Sequence, residues 1–211
     1  MDASAIPAGT RPWLRPQTLD RIEQVVIALL WVWLVRRVIV SPNAYAPLLL
    51  LSETAVMVFV LIRRPTQAIS LRLGDWLLAI TATAAPLLIQ PGYDLFPAFA
   101  PVGLALLFFG NCGQLYAKLA LRRSFGVAPA NRGIKISGPY RLVRHPMYAG
   151  YLLVHIGSLL LFFSPMNVLI YTIGWWAQVR RLLAEEALLS RDDAYRAYCA
   201  SVRWRLLPGL F

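Results

Sequence analysis

Two short segments of the 211-residue chain hold the side chains best suited to chemistry. The first reads Gly138-Pro139-Tyr140, then Arg144-His145-Pro146-Met147-Tyr148-Ala149-Gly150. Gly-Pro marks a turn. Pro146 pushes His145 away from the α region and suits the first position of a helix. The free amides at that helix start favour an anion, and Arg144 and His145 stand beside them. Tyr140 and Tyr148 offer aromatic faces for a base or a cation. Gly150 lets a ligand or a neighbouring helix come close. Singly, each residue is ordinary: an Arg-His pair before a membrane helix anchors the interface, and tyrosines form its aromatic belt. Joined, they describe a place for a molecule with both an anionic group and a flat or cationic one.

The second segment is Glu185-Glu186, shortly after Arg180-Arg181. It reads either as a solvated helix end, or as one carboxylate accepting from a ribose diol while the other pairs with an arginine. Three further features stand inside apolar runs. Glu53 is costly there and marks a function or a structural pairing. His155 reads as a hydrogen-bonded packing residue. Gly110-Asn111-Cys112-Gly113-Gln114 suits helix contact or one wall of a cofactor pocket. Cys112 and Cys199 are far apart, and neither a disulfide framework nor a metal site is expected. There is no GxGxxG after a strand, no GxxxxGK[ST], no GxSxG and no HExxH. The residues alone assign no catalytic acid, base or nucleophile.

Membrane helices must position these segments. Of all residues 58% are hydrophobic and 15% charged, and mean hydropathy is +0.57. A soluble domain of this size carries about 25% charged residues and fewer apolar ones, so a soluble globular fold and a disordered chain are both disfavoured. Apolar runs predict spans at 22–40, 45–62, 76–90, 96–121, 146–163 and 165–179, the third and sixth short for a bilayer core of about 30 Å. The expectation is an all-α, polytopic integral membrane protein with five or six transmembrane helices and a helical cytoplasmic C-terminal tail. The polar stretch 1–21 reads as an N-terminal arm, and the first apolar run as a retained helix, not a signal peptide. Residues 1–95 form the arm and three generic spans; 96–211 form the half carrying the site.

The net charge of +11 sorts by side. With both termini cytoplasmic, every basic residue except Arg36 and Arg37 falls on the inner face. The charge therefore reads as topology, and nucleic acid is not an expected partner. Only Lys118 and Lys135 of the 21 basic residues are lysines, which points to a bacterial, GC-rich genome and hence to the inner membrane. The basic loop 122–145 is long for a connector and so functional. It shares the inner face with the tail 180–211, whose apolar and aromatic positions recur at helical spacing.

Together these residues resemble the isoprenylcysteine carboxyl methyltransferase family of integral membrane enzymes, whose wider group includes phospholipid methyltransferases. The resemblance rests on Gly138-Pro139-Tyr140, the RHPMYAG run 144–150, Glu185-Glu186 and the tail Tyr195-Arg196-Ala197-Tyr198 with Val202 and Leu207-Pro208-Gly209. It covers about residues 96–211. It implies methyl transfer from S-adenosylmethionine, with the cofactor between the last membrane helices and the tail on the cytoplasmic side. On that resemblance His145 and Tyr148 contact the cofactor, and Arg144 anchors charged groups. Glu185 and Glu186 engage the ribose or close the pocket, Tyr140 lines the adenine side, and Gly110 lies by the methionine moiety.

Methyl transfer from a sulfonium is an in-line displacement that needs positioning and exclusion of water more than an acid or base. A missing catalytic triad is therefore no objection. The membrane setting implies a lipophilic or small acceptor, a carboxylate, amine or thiol, entering sideways from the lipid bilayer. Two rival readings exist. One is an NADPH-dependent membrane reductase resembling the sterol reductases, for which Arg123, Arg132 and Lys135 alone could offer the extra phosphate site. The other is a non-enzymatic scaffold whose basic face binds anionic lipid.

Overall fold

A computed structural model describes residues 16–41, 46–66, 68–90, 97–209 and 211. The arm's first fifteen residues, and the predicted span starts at 45 and 96, lie outside the described residues. The described chain is all-α, with seven α-helices: α1 Pro16–Ile39, α2 Leu48–Ile62, α3 Leu73–Leu88, α4 Ala100–Leu121, α5 Pro146–Leu161, α6 Pro165–Leu189 and α7 Asp193–Ser201. The described residues contain one isolated antiparallel bridge, between Ile69 and Ala130.

Local chemistry explains the boundaries. Ser164 caps α6 by accepting the Asn167 amide at 3.0 Å, with Pro165 at the first helical position. Asp192 caps α7 through the Ala194 amide at 2.9 Å. α4 stops at Arg122, whose φ of 52° is a left-handed conformation that breaks the helix.

The first six helices alternate in direction. At one end the start of α1 reaches the end of α2 and the loop after α4 through Asp20, Arg63 and Arg132. The start of α5 meets the end of α6 there, through His145 and Glu186. At the other end Arg37 of α1 donates to the last carbonyls of α3, Leu87 at 2.6 Å and Ile89 at 3.0 Å. Asn167 of α6 bonds Gln90 in both directions and donates to the Phe162 carbonyl that closes α5. The Arg36-Arg37 pair, the misfit of the charge count, thus includes a side chain spent on capping α3 rather than on solvent.

α4 and α5 pack through glycines. A Cβ on Gly157 would fall 2.6 Å from the Gly103 carbonyl oxygen, and one on Gly110 would fall 2.9 Å from that of Gly150. Only glycine permits this backbone approach.

Four expectations are corrected. The arm ends earlier, because α1 begins at Pro16. The sixth helix does not stop at Val179 but runs unbroken to Leu189, carrying Glu185 and Glu186 as helical residues. Lys118 is not part of a solvated basic stretch. It is fully buried, donates to Gln114 Oε1 at 2.7 Å, and lies 5.1 Å over the Tyr151 ring. Finally, among the described residues only the run Ala100–Ser124 is long and apolar enough to cross a membrane; 53–62, 73–88 and 146–161 are shorter apolar helices. A 16-residue helix such as α5 is about 24 Å long, under the hydrocarbon thickness.

Candidate functional site

The site forms where the loop before α5 meets the end of α6 and the chain after α7. Backbone bonds hold the loop in place. The Arg144 amide donates to the Trp204 carbonyl and the His145 amide to that of Arg205, both at 2.8 Å. Tyr198 of α7 donates its hydroxyl to the Tyr140 carbonyl at 2.7 Å. His145 then sits just before α5, and its carbonyl accepts from the Tyr148 amide at 3.1 Å.

The two glutamates divide their work. Glu186 is the hub of a buried ion cluster. Its Oε1 lies 3.0 Å from Arg144 Nη1 and 3.2 Å from His145 Nε2, and its Oε2 accepts from Arg205 Nε at 2.8 Å. A carboxylate only accepts, so Nε2 of His145 carries the proton in that bond. Burial alone would raise the Glu186 pKa; hydrogen bonds from His145 and Arg205, and the charge of Arg144, outweigh it and bring it down to about 2. Glu185 turns the other way and accepts the Tyr148 hydroxyl at 2.9 Å. The Tyr148 ring stacks on His145, centroids 5.5 Å apart and 3° from parallel, with the Arg181 guanidinium 5.5 Å from its centre.

Beside this cluster lies a cleft of about 660 Å³, counting its open mouth. Tyr140, Arg144, His145, Tyr148 and Glu185 line it, together with Phe125, Ile134, Lys135, Met147, Leu189, Tyr195 and Tyr198. Its mix of apolar walls and a few polar groups is that of a small-molecule site. Of the seven predicted site residues, five line the cleft. Glu186 lies behind them as the anchor of Arg144 and His145. Gly110 is elsewhere, in the α4–α5 contact. Tyr140 and Tyr195 are buried, which pushes both hydroxyl pKa values up and keeps them neutral donors. The Tyr195 hydroxyl is buried with no hydrogen-bond partner among the described residues.

The basic residues that an extra phosphate would need are engaged. Arg132 is buried, pairs with Asp20 at 2.6 Å and donates to the Arg64 carbonyl. Arg123 donates to the Ile62 carbonyl at 3.0 Å. Of the three, Arg132 and Lys135 line the cleft, Arg132 with its guanidinium committed to Asp20.

Sequence reasoning missed several participants. Arg205 and Arg181 were read only as charges. Asp20, Glu23 and Arg63 belong to helices read as generic, yet they form a buried cluster against the loop that walls the cleft. Two acidic residues at the start of an apolar helix, in a chain with few of them, were the available signal. His155 behaves as expected: its Nδ1 accepts from Trp175 at 3.0 Å and its ring stacks on Tyr171 at 4.5 Å. Glu53 faces a cavity that it shares with Tyr151, His155, Gln178 and Arg181.

Residues 103–191 match the family model of the isoprenylcysteine carboxyl methyltransferase family, whose enzymes are integral membrane proteins using S-adenosylmethionine. The match runs from α4 to the end of α6 and so includes the whole cleft loop. No curated protein matches the chain.

Proposed function

We propose, from the premise that residues 103–191 are those of an isoprenylcysteine carboxyl methyltransferase family enzyme, that this chain methylates a lipophilic acceptor at the cytoplasmic face of a bacterial inner membrane. The single observation carrying this reading is the cleft itself. It places Glu185, an unpartnered Tyr195 hydroxyl and the stacked His145–Tyr148 pair around one space beside apolar walls. That donor set suits S-adenosylmethionine: a carboxylate for hydroxyls, a hydroxyl donor, aromatic faces for a cation, and apolar side chains for a purine. When bound, the cofactor supplies an electrophilic methyl group. Glu186 holds Arg144 and His145 in place, Tyr148 holds Glu185, and the tail from Trp204 shuts the loop against water.

The reading of the acceptor rests on a second feature. Three small cavities adjoin one another through shared walls. One is a groove between α1 and α3 with mostly apolar walls, Ile22, Ile27, Trp76 and Ile80 among them, and with Glu23 and Thr83 also in its lining. A second shares Ile27, Leu30 and Thr83 with it. The third shares Glu53 and Thr83 with the second, and holds Tyr151, Gln178 and Arg181. Phe125 lines both this third cavity and the cofactor cleft. On this reading an acyl or prenyl chain enters along the groove, and its polar end comes to the third cavity, next to the cleft. On the charge rule, the basic end of the alternating helices is the inner one.

The test is transfer of labelled methyl from S-adenosylmethionine into organic-extractable product, using protein in native-like membranes. The intact protein labels lipid-soluble material. Thr83→Trp, which fills the shared wall of all three cavities, lowers labelling at least tenfold while cofactor binding stays. Full labelling by that variant would exclude the lateral route.

A further inference from the structure

The N-terminal helix carries a charge cluster that the methyl-transfer reading does not use. Asp20 and Glu23 of α1 are buried, though each is an acid at the start of an apolar helix. Arg63, at the end of α2, is also buried; it pairs with Asp20 at 3.0 Å and with Glu23. Glu23 does more than neutralise Arg63. Its Oε1 accepts the Val127 amide at 2.9 Å and its Oε2 the Ala128 amide at 3.4 Å. Asp20 holds the other side of the same loop, through Arg132 at 2.6 Å.

Apart from the Ile69–Ala130 bridge and the two backbone bonds beside it, the loop 125–135 they grip has no regular structure to hold it, and Phe125, Gly126, Arg132 and Ile134 are cleft wall. Loop amides buried without an acceptor are costly, and Glu23 accepts from two of them. We propose that Asp20 and Glu23 are positioning residues: α1 acts as a brace that holds the loop at the shape the cofactor cleft requires. The inference rests on the cleft being the S-adenosylmethionine site. It makes the N-terminal half part of the binding machinery, although the family match begins only at residue 103.

Removing one partner of a buried ion pair strands the other charge and threatens folding, whereas replacing both with apolar groups is tolerated. The test variant is therefore the double substitution Glu23→Leu with Arg63→Met, which leaves Asp20 paired with Arg132. Three quantities are measured in detergent: melting temperature without cofactor, amide hydrogen exchange over residues 124–135 against α5, and the Kd for S-adenosylmethionine by calorimetry. The brace predicts loop exchange accelerated at least tenfold with α5 unchanged, melting within a few degrees of the parent, and a Kd raised at least tenfold. A second variant, Glu23→Gln, keeps an acceptor for the Val127 amide and holds the Kd within about threefold. Loop exchange equal to that of the parent overturns the proposal, as does a double variant whose Kd stays within twofold. If the parent itself does not bind S-adenosylmethionine, the functional reading fails, while the exchange data still decide whether α1 braces the loop.

Discussion

The division of labour between Glu185 and Glu186 sets what single substitutions should do. Tyr148→Phe removes the hydroxyl that donates to Glu185 at 2.9 Å but keeps the ring on His145. A hydrogen bond to a charged group is worth about 1.5–3 kcal/mol, so cofactor affinity should fall about tenfold or more, with little change in melting temperature. Glu186 makes a pH prediction. Its folded pKa, near 2, lies below the ordinary 4.5, so the charge it contributes is fully present above about pH 4.5. It is lost only as pH falls through about 2. The melting-temperature gap between the parent protein and Glu186→Gln should therefore be constant from pH 7 to 5 and close on further acidification. A gap that already closes between pH 7 and 5 would contradict this assignment.

Among the helices, the α4–α5 contact and the tail are the two features to break. Gly157→Ala drives a methyl group to within 2.6 Å of the Gly103 carbonyl oxygen. Overpacking of this kind costs about 1–3 kcal/mol, read as a lowered melting temperature. Truncation before Arg203 removes the carbonyls of Trp204 and Arg205 that accept the Arg144 and His145 amides, and the Arg205 partner of Glu186. It should abolish cofactor binding while α4–α6 keep their exchange protection; binding at parental affinity would show that the tail is dispensable.

The same contacts show what was legible in the sequence. Gly138-Pro139, the His145-Pro146 junction and Ser164-Pro165 announce a turn and two helix starts by local rules, and the helices begin there. Tyr140, Arg144, His145 and Tyr148 share one short motif and so come to the cleft together, where Glu185 joins them from α6. The end of the sixth span was misread because Arg180 and Arg181 look like a boundary, yet Arg181 is buried against Tyr148 and lets the helix continue. Gly110 was placed by the methionine moiety on the resemblance alone; the fold sets it against Gly150. The Asp20–Glu23–Arg63–Arg132 cluster depends on pairings across 40 to 112 positions, which no local pattern encodes.

For the whole molecule, the charge of +11 separates into three uses. On the proposed function, exposed arginines mark the inner face; Arg144 and Arg205 neutralise Glu186; and Arg63 and Arg132 tie the N-terminal helices to the cleft loop. That proposal brings a soluble cofactor to the cleft and a lipophilic acceptor along the groove to opposite sides of one wall. Its central claim is that the cleft binds S-adenosylmethionine through the residues that line it. Calorimetric titration of S-adenosylmethionine into the detergent-solubilised protein tests this most directly, with Glu185→Gln, His145→Ala and an NADPH titration run alongside. The account predicts saturable one-site binding by the intact protein, affinity at least tenfold lower in both variants, and no heat from NADPH. Absence of binding by the intact protein, or unchanged affinity in both variants, would contradict it.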